Sequence, residues 1–242
     1  MPSASVSRPV AAVVDQWAHR PSPAVIFDFN GTLSDDEPIL YRIFTELFDS
    51  ELNWSLTEED YTRHLLGHSD REIIEKAQQM TGVEVDVEAL LQMRKRRYRE
   101  LVAGDNPIRL ETVELVWSLA RHDVPLAIVT GAQRDDVRAV LDNSPVGEWI
   151  AVVVAEEDVR RGKPDPEGFL AGAAQLGCNP ESVLVFEDSL PGVRGALAAG
   201  MQCIAVAADP GDELRELAPA IVARLSGGII DHVVPVLGSR RA

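Results

Sequence analysis

The chain has 242 residues, of which 45% are hydrophobic, and its 39 acidic and 23 basic residues give a formal net charge of -16. This length is enough for one sizeable core, or for a core domain with a smaller appendage. An acidic surface repels phosphate backbones and anionic lipid headgroups, so the composition argues against nucleic acid and membranes as partners. An anionic substrate would need positive charge built into its site.

The cysteines and the apolar runs of the sequence indicate where the protein is located. Cys178 and Cys203 are far apart and have no metal-binding spacing, so we interpret them as packed thiols in a reducing compartment and expect a cytoplasmic protein. No apolar run in the sequence approaches the roughly 20 residues that span a bilayer. Asp15 and His19 interrupt the first apolar stretch, so residues 1–23 are predicted to form a loosely ordered tail with room for a helical turn.

Five short runs rich in β-branched residues recur along the chain and are apolar nearly throughout. Such runs suit strands buried on both faces of a parallel sheet. Helical patterns separate the later runs, and this alternation predicts an α/β fold: a Rossmann-like, doubly wound parallel sheet with helices on both faces. The predicted strands are Ala24–Phe27, Pro125–Val129, Ile150–Val154, Val183–Phe186 and Cys203–Val206. The predicted helices of this core are Leu110–Arg121, Arg134–Leu141, Pro166–Leu176 and Val193–Ala199.

The long segment between the first two runs contains no convincing strand, and its patterns are helical. We interpret it as an inserted α-helical cap domain, residues 37–107, bounded by the Asp35–Pro38 turn and the Gly104–Pro107 breaker. The α/β core is then formed by residues 24–36 and 108–237. The predicted cap helices are Ile39–Leu52, Thr57–Leu66, Arg71–Met80 and Val87–Val102.

Polar side chains stand where four of the predicted strands end, and ligands of doubly wound sheets bind outside these carboxyl ends. They are Asp28 after the first strand, Thr130 after the second, Lys163 in the loop after the third, and Glu187 with Asp188 after the fourth. Each side chain alone could instead cap a turn or a helix, or stay solvated. Their joint placement at one edge of the sheet is much less expected by chance.

This set of side chains is suited to phosphoryl transfer. Asp28 can attack phosphorus to form an aspartyl phosphate. Mg²⁺ held by Asp28 and Asp188 would neutralise the two anions that meet, since it prefers hard oxygen ligands. Lys163 adds a fixed positive charge against the phosphoryl oxygens and keeps the nucleophile ionised. Thr130 and the backbone N–H groups around Gly131 can donate hydrogen bonds to the same oxygens.

Four segments, DFNGTL, IVTG, GKPDP and FEDSLPGV, resemble in order and spacing the four motifs of the haloacid dehalogenase (HAD) superfamily of phosphohydrolases. The similarity extends over about Ala24 to Val206. The helical insert is similar in position to the cap of the subfamily that includes phosphoglycolate phosphatase-like enzymes and β-phosphoglucomutase. The resemblance implies a Mg²⁺-dependent hydrolase of a small phosphorylated metabolite, and we expect a monomer or homodimer.

The resemblance also implies roles for individual residues of this sequence. The catalytic residues would be Asp28, Asn30, Thr130 and Lys163; the metal ligands Asp28, the main-chain carbonyl of Asn30, Glu187 and Asp188; and the substrate-binding residues of the core Gly131 and Ala132. In the cap, LLGHSDREII resembles a loop that faces the site in relatives. Gly67 would permit its turn, and His68 and Arg71 would reach an anionic group of the substrate. The alternative is that His68 is exposed and Arg71 is an ordinary residue of a helix's first turn.

Asn30 departs from the phosphatase pattern, which has a second aspartate at this position. That acid protonates the leaving oxygen and later takes a proton from the hydrolytic water. An amide has no proton to transfer at neutral pH, and losing general acid–base catalysis lowers a rate by about 10²–10⁴-fold. We therefore expect tight phosphate binding with slowed or altered turnover.

Four explanations of Asn30 remain open from the sequence. The substrate can carry a good leaving group, as an acyl phosphate does. The asparagine can be an engineered change that traps the reaction. The protein can be a phosphate-binding or phospho-aspartate switch. Finally, another group or a water can supply the proton, with Asp35, Asp36 and Glu37 close in sequence.

Other activities of the superfamily fit less well. Sequences similar to β-phosphoglucomutase place a histidine in the first cap helix where ungapped counting gives Leu40. Phosphonate hydrolysis would need a Schiff-base lysine in the cap, and Lys76 and Lys95 stand in no such pattern. Haloalkanoate dehalogenation needs no Mg²⁺ and no acid pair like Glu187–Asp188.

Overall fold

The structure, a computed structural model, describes residues 8–66 and 68–239. The chain divides into two compact units. The core unit consists of Met1–Asp35 with Ile108–Ala242, and the helical unit consists of Asp36–Pro107. Within the described ranges, no helix combines the length and the hydropathy needed to cross a lipid bilayer.

The core unit is built on a parallel sheet. Its strands are β1 (Ala24–Phe27), β2 (Leu126–Val129), β3 (Val152–Val154), β4 (Val183–Glu187), β5 (Gln202–Val206) and β6 (Ile221–Val222). Over the described residues the sheet has six strands in the order β3-β2-β1-β4-β5-β6, and every neighbouring pair is parallel. The chain runs outward in one direction from β1 and in the other from β4, so the topological switch point lies between these two central strands. The predicted α/β fold with a doubly wound parallel sheet is confirmed.

Helices cover both faces of this sheet because successive strand residues point to opposite sides. The helices of the core unit are α1 (Arg8–Ala18), α6 (Leu110–Ala120), α7 (Arg134–Leu141), α8 (Glu167–Leu176), α9 (Leu190–Ala198), α10 (Asp212–Leu217) and α11 (Val234–Gly238). On one face, Ile26 and Val185 belong to a buried cluster with Phe169 of α8. The next strand residues, Phe27 and Phe186, stack with ring centroids 5.4 Å apart. The two central strands are therefore fixed by apolar packing that extends up to the residue before Asp28.

The first helix occupies part of the segment predicted to be a loosely ordered tail, residues 1–23. Val10, Val14 and Trp17 are spaced as one helical face and are at most 1% exposed. The Trp17 indole Nε1 donates to the Ala24 carbonyl oxygen at 3.0 Å, which ties the helix to β1. The tail prediction is wrong for residues 8–18, because this amphipathic spacing outweighs the polar interruptions. Its remaining first part, residues 1–7, lies outside the described residues.

The helical unit is an all-α array in the residues described. Its elements are α2 (Glu37–Leu52), α3 (Glu58–Asp60), a π-helical turn (Tyr61–Leu65), α4 (Asp70–Thr81) and α5 (Val87–Gly104). Helix α4 begins at a capping box in which Ser69 and Glu72 satisfy each other's backbone N–H groups. The interior contains a buried hydrogen bond from the Tyr98 hydroxyl to Asp36 Oδ2, 2.5 Å long.

Candidate active site

Three carboxylates meet at the switch point of the sheet. Asp28 follows β1 directly, is 5% exposed, and its backbone N–H donates to the Phe186 carbonyl oxygen at 2.9 Å. Glu187 is the last residue of the neighbouring strand β4, is 1% exposed, and is followed by Asp188. One carboxylate oxygen from each of the three acids lies within 4.8 Å of the others. The register of two adjacent parallel strands thus delivers the predicted acids to one point.

Lys163 supplies positive charge to this site. It lies in the loop between β3 and α8, and its Nζ donates to the Asp28 carboxylate and to Glu187 Oε1, the latter at 3.1 Å. The ammonium also lies 5.5 Å from the centroid of the Phe169 ring. Lys163 therefore bridges the acid that follows β1 and the acid that ends β4.

The pKa values of two of the three acids are raised, because one lysine does not balance three clustered carboxylates. Burial, together with the charge of Asp28, raises the pKa of Glu187 to about 7. Burial and the charges of Asp28 and Glu187 raise the pKa of Asp188 to about 8. Burial alone would lower the pKa of Lys163, but the carboxylates of Asp28 and Glu187 outweigh it and raise that pKa above the ordinary lysine value.

This donor set fits a divalent cation. Clustered carboxylates with raised pKa values gain stability from an added positive charge, and carboxylate oxygens are the ligands that Mg²⁺ prefers. Asp28 and Asp188 are placed to supply them. Both oxygens of Glu187 already accept hydrogen bonds from Ser189, and one of them also accepts from Lys163. The ligand role of Glu187 stays a prediction.

Thr130 lies at the end of β2, which pairs with β1 in the sheet. It is 6% exposed, and its Oγ1 accepts from the backbone N–H of Ala132 at 2.9 Å. Because that oxygen serves as an acceptor, the hydroxyl proton is left to donate to a ligand. Gly131 is exposed, with open space where a Cβ would be. The threonine hydroxyl and the loop backbone thus follow the strand that pairs with β1, and their phosphate-binding role stays a prediction.

Asn30 is half-buried in a tight turn that follows Asp28. The Gly31 N–H donates to the Ser34 carbonyl oxygen at 2.8 Å, and the backbones of Asn30 and Ser34 form a bridge. Gly31 has a φ of 75°, and a Cβ on it would lie 2.3 Å from Asp188 Oδ2. The turn that carries the amide is therefore packed against the third acid of the site.

The three acids that follow this turn are each engaged elsewhere. Asp35 forms an ion pair with Arg109. In the helical unit, Asp36 accepts from Tyr98, and Glu37 accepts from the hydroxyl of Tyr61 at 2.6 Å. These contacts do not favour any of the three acids as a substitute for the missing aspartate.

Residues 25–206 match the family model described as haloacid dehalogenase-like hydrolase. The chain belongs to this family. The resemblance of the four motifs is thereby confirmed, and the matched range runs from the second residue of β1 to the last residue of β5, with the helical unit included.

Two curated relatives match this HAD-like hydrolase over most of their own length. Protein CbbY of Rhodobacter capsulatus is 31% identical over 189 residues, covering 75% of this chain and 83% of the relative. The phosphorylated carbohydrates phosphatase of Thermotoga maritima is 31% identical over 185 residues, with the same coverages of 75% and 83%. A crystal structure of an aspartate-to-asparagine mutant of CbbY from Rhodobacter sphaeroides, in complex with xylulose-(1,5)-bisphosphate, aligns with a TM-score of 0.70 and 26% identity, over 84% of this chain and 95% of that one.

The two predicted substrate contacts of the helical unit lie among acids of that unit. His68 Nδ1 is 4.0 Å from Glu72 Oε2. Arg71 forms an ion pair with Glu88 and lies 4.0 Å from a carboxylate oxygen of Glu75. Binding of substrate by either residue stays a prediction, and Gly67, the glycine predicted to shape their loop, lies outside the described residues.

Sequence reasoning assigned no role to two residues that shape the site, Ser189 and Gly192. Both belong to the FEDSLPGV motif and to the start of α9, where Ser189 Oγ accepts from the Gly192 N–H at 3.1 Å. The signal was a serine three residues before a glycine at a helix start, which predicts an N-cap. It gave no indication that both residues contact Glu187.

Proposed function

We propose that this HAD-like hydrolase is a Mg²⁺-dependent phosphomonoester hydrolase that acts on a small phosphorylated metabolite in the cytoplasm, as a monomer or homodimer. One observation carries the proposal: the buried Asp28 carboxylate is held by Lys163 and lies beside the carboxylates of Glu187 and Asp188. Because the Thermotoga maritima relative is a phosphorylated carbohydrates phosphatase, sugar phosphates are the first substrates to test.

The chemistry begins with attack of the Asp28 carboxylate oxygen on phosphorus. The new O–P bond gives an aspartyl phosphate, the bond from phosphorus to the leaving oxygen breaks, and the leaving group departs. Lys163 and the Thr130 hydroxyl bind the phosphoryl oxygens, and the ammonium also contacts the Asp28 carboxylate and holds it in place for attack. Water then attacks the phosphorus of the intermediate, which releases phosphate and restores the Asp28 carboxylate.

A bound Mg²⁺ would be held by Asp28, Asp188 and the main-chain carbonyl of Asn30, and would offset the negative charge shared by nucleophile and phosphate. The raised pKa values of Glu187 and Asp188 support this role, because both reflect a shortage of positive charge around buried carboxylates.

Asn30 limits the two proton transfers of this sequence. Its amide can donate a hydrogen bond to the leaving oxygen but cannot protonate it, and it cannot take a proton from water. A substrate whose leaving group needs no proton, such as an acyl phosphate, is therefore favoured for the first step. Because Asp35, Asp36 and Glu37 are bound elsewhere, breakdown of the aspartyl phosphate is expected to be the slow step.

A second candidate function is a phosphate-binding or phospho-aspartate switch, or an engineered trap of a phosphatase. Asn30 itself favours this candidate, since phosphoryl capture survives when acid–base catalysis is lost. The mutant CbbY structure supports it as well, because an aspartate-to-asparagine variant of that protein is found there with a bound bisphosphate.

Steady-state assay of the protein beside Asn30→Asp separates the two candidates. A measurable turnover that rises by about 10²–10⁴-fold in Asn30→Asp supports a slowed hydrolase. No turnover in the unaltered chain, with activity only in Asn30→Asp, supports the switch or trap. Equal rates of the two proteins would refute the acid–base role assigned to position 30.

A further inference from the structure

Glu187 is held in a confined position between the end of β4 and the start of α9. Its carboxylate accepts from Ser189 Oγ at 3.0 and 3.2 Å, from the Ser189 N–H at 3.3 Å and from Lys163 Nζ at 3.1 Å. The side chain is 1% exposed. Three donors therefore fix one carboxylate, and that carboxylate in turn fixes the ammonium that contacts Asp28.

This position exists only because residue 192 is glycine. A Cβ on Gly192 would lie 1.6 Å from Glu187 Oε2 and 1.9 Å from its carboxyl carbon. Both distances are far inside van der Waals contact, so any larger side chain must push the carboxylate away. Gly192 is in the first turn of α9, where alanine is the better helix former. Helix formation thus gives no reason for glycine here, whereas the carboxylate does.

We propose that Gly192 is a positioning residue: by lacking a Cβ it lets the Glu187 carboxylate lie against α9 and hold Lys163 on the nucleophile Asp28. The proposal rests on the proposed function and adds a residue that touches neither substrate nor metal. Ser189 acts with it, since its hydroxyl binds Glu187 and also caps the helix that carries Gly192.

Gly31 is another glycine beside an acid of the site, and it differs from Gly192 in its backbone conformation. A Cβ on Gly31 would approach Asp188 Oδ2 to 2.3 Å, but Gly31 also has a φ of 75°. Any substitution there strains the backbone as well as the carboxylate. Gly192 does not have a positive φ, so its replacement by alanine tests the carboxylate contact without that backbone strain.

The test is a set of four proteins: the unaltered chain, Gly192→Ala, Glu187→Asp and the double variant. Phosphorylation by acetyl phosphate is followed in a single turnover with Mg²⁺. We expect Gly192→Ala to slow it by about 10- to 100-fold, because a shift of about 1 Å in a positioned group has effects of this size. Glu187→Asp shortens the acid by one methylene and makes room for the new methyl group. The double variant is therefore expected to be no slower than Gly192→Ala alone.

Multiplication of the two single effects in the double variant would overturn the proposal, because it would show that residue 192 acts independently of Glu187. If Gly192→Ala alone is insoluble, the double variant is expected to be soluble, and an insoluble double variant also overturns the proposal. Gly211→Ala is the matched control, since a Cβ there meets nothing within 4 Å. It is expected to leave the rate unchanged.

A crystal structure of Gly192→Ala gives a readout that does not depend on activity. We expect the Lys163 Nζ to Glu187 Oε1 contact to be lost; a retained contact at 3.1 Å would overturn the proposal. If no protein of the set is phosphorylated, the proposed function fails. The distance from Lys163 Nζ to Glu187 Oε1 in the variant structure still decides the role of Gly192.

Discussion

Replacing Lys163 by methionine removes the cation from the acid cluster while keeping a side chain of similar length. The Lys163 Nζ to Glu187 Oε1 distance is 3.1 Å. At an effective dielectric constant of about 20, an ion pair at this distance is attractive by about 5 kcal/mol. Desolvation offsets much of that energy in the folded protein, but removing one partner of a buried pair leaves the other uncompensated, at a cost of about 3–5 kcal/mol. We expect Lys163→Met to destabilise the Mg²⁺-free protein by this amount near pH 8.

The pH dependence of this loss tests its electrostatic origin. The pKa values of Glu187 and Asp188 are already raised to about 7 and about 8, and without Lys163 they rise further. The folded variant then binds more protons than the unfolded chain, in which carboxyls titrate near pH 4, so its stability increases as the pH falls. One extra bound proton is worth about 1.4 kcal/mol per pH unit. The loss should therefore shrink by about 1–2 kcal/mol between about pH 8 and pH 6.

Urea unfolding of the unaltered chain, Lys163→Met and the control Lys95→Met, all in EDTA, measures these free energies. Lys95 is a lysine of the helical unit outside the acid cluster. A loss below about 1 kcal/mol near pH 8, the level of an exposed ion pair, would refute the reasoning. So would a loss that does not change with pH, or a loss that Lys95→Met matches.

Three further outcomes follow from the structure. Mg²⁺ affinity should fall as the pH decreases from about 8 to 6, because protons compete for Glu187 and Asp188 at their raised pKa values; calorimetric titration in two buffers of different ionisation enthalpy would contradict this if it shows no proton release on binding. Thr130→Val should weaken phosphate binding by about 10-fold or more through loss of a hydrogen bond to a charged group, and unchanged binding in a competition assay would remove Thr130 from the site. Trp17→Ala should cost about 3–5 kcal/mol in unfolding free energy, since this side chain is fully buried; a loss under about 1 kcal/mol would mean that the first helix contributes little to the core.

The sheet could be predicted from the sequence because its strands are short apolar runs buried on both faces. The predicted strand starts at Pro125 and Ile150 lie one and two residues before those observed, at Leu126 and Val152. The edge strand β6 and the first helix were not predicted in this way. Strand β6 has two residues and is defined by pairing with β5, so no local sequence pattern predicts it. The first helix had a readable apolar stripe, but polar residues inside it were given too much weight.

In the site, the sequence pattern predicted which residues come together, but it did not predict the contacts between them. The chemical groups of the site could be predicted from the strand ends, because the carboxyl ends of parallel strands lie at one edge of a doubly wound sheet. The contacts that hold Glu187 depend on how the start of α9 packs against the end of β4, and spacing along the chain carries no information about a distance of 1.6 Å between a missing Cβ and a carboxylate oxygen. Spacing also gave no sign that Asp36 is buried against Tyr98.

Peptide mapping after incubation with acetyl phosphate and Mg²⁺ tests the central claim most directly, since it identifies the residue that takes the phosphoryl group. We expect the adduct on Asp28, and we expect it to persist longer in the unaltered chain than in Asn30→Asp, where a carboxylate can activate water. A phosphoryl group on any other residue, or an adduct that decays equally fast in both proteins, would contradict the account.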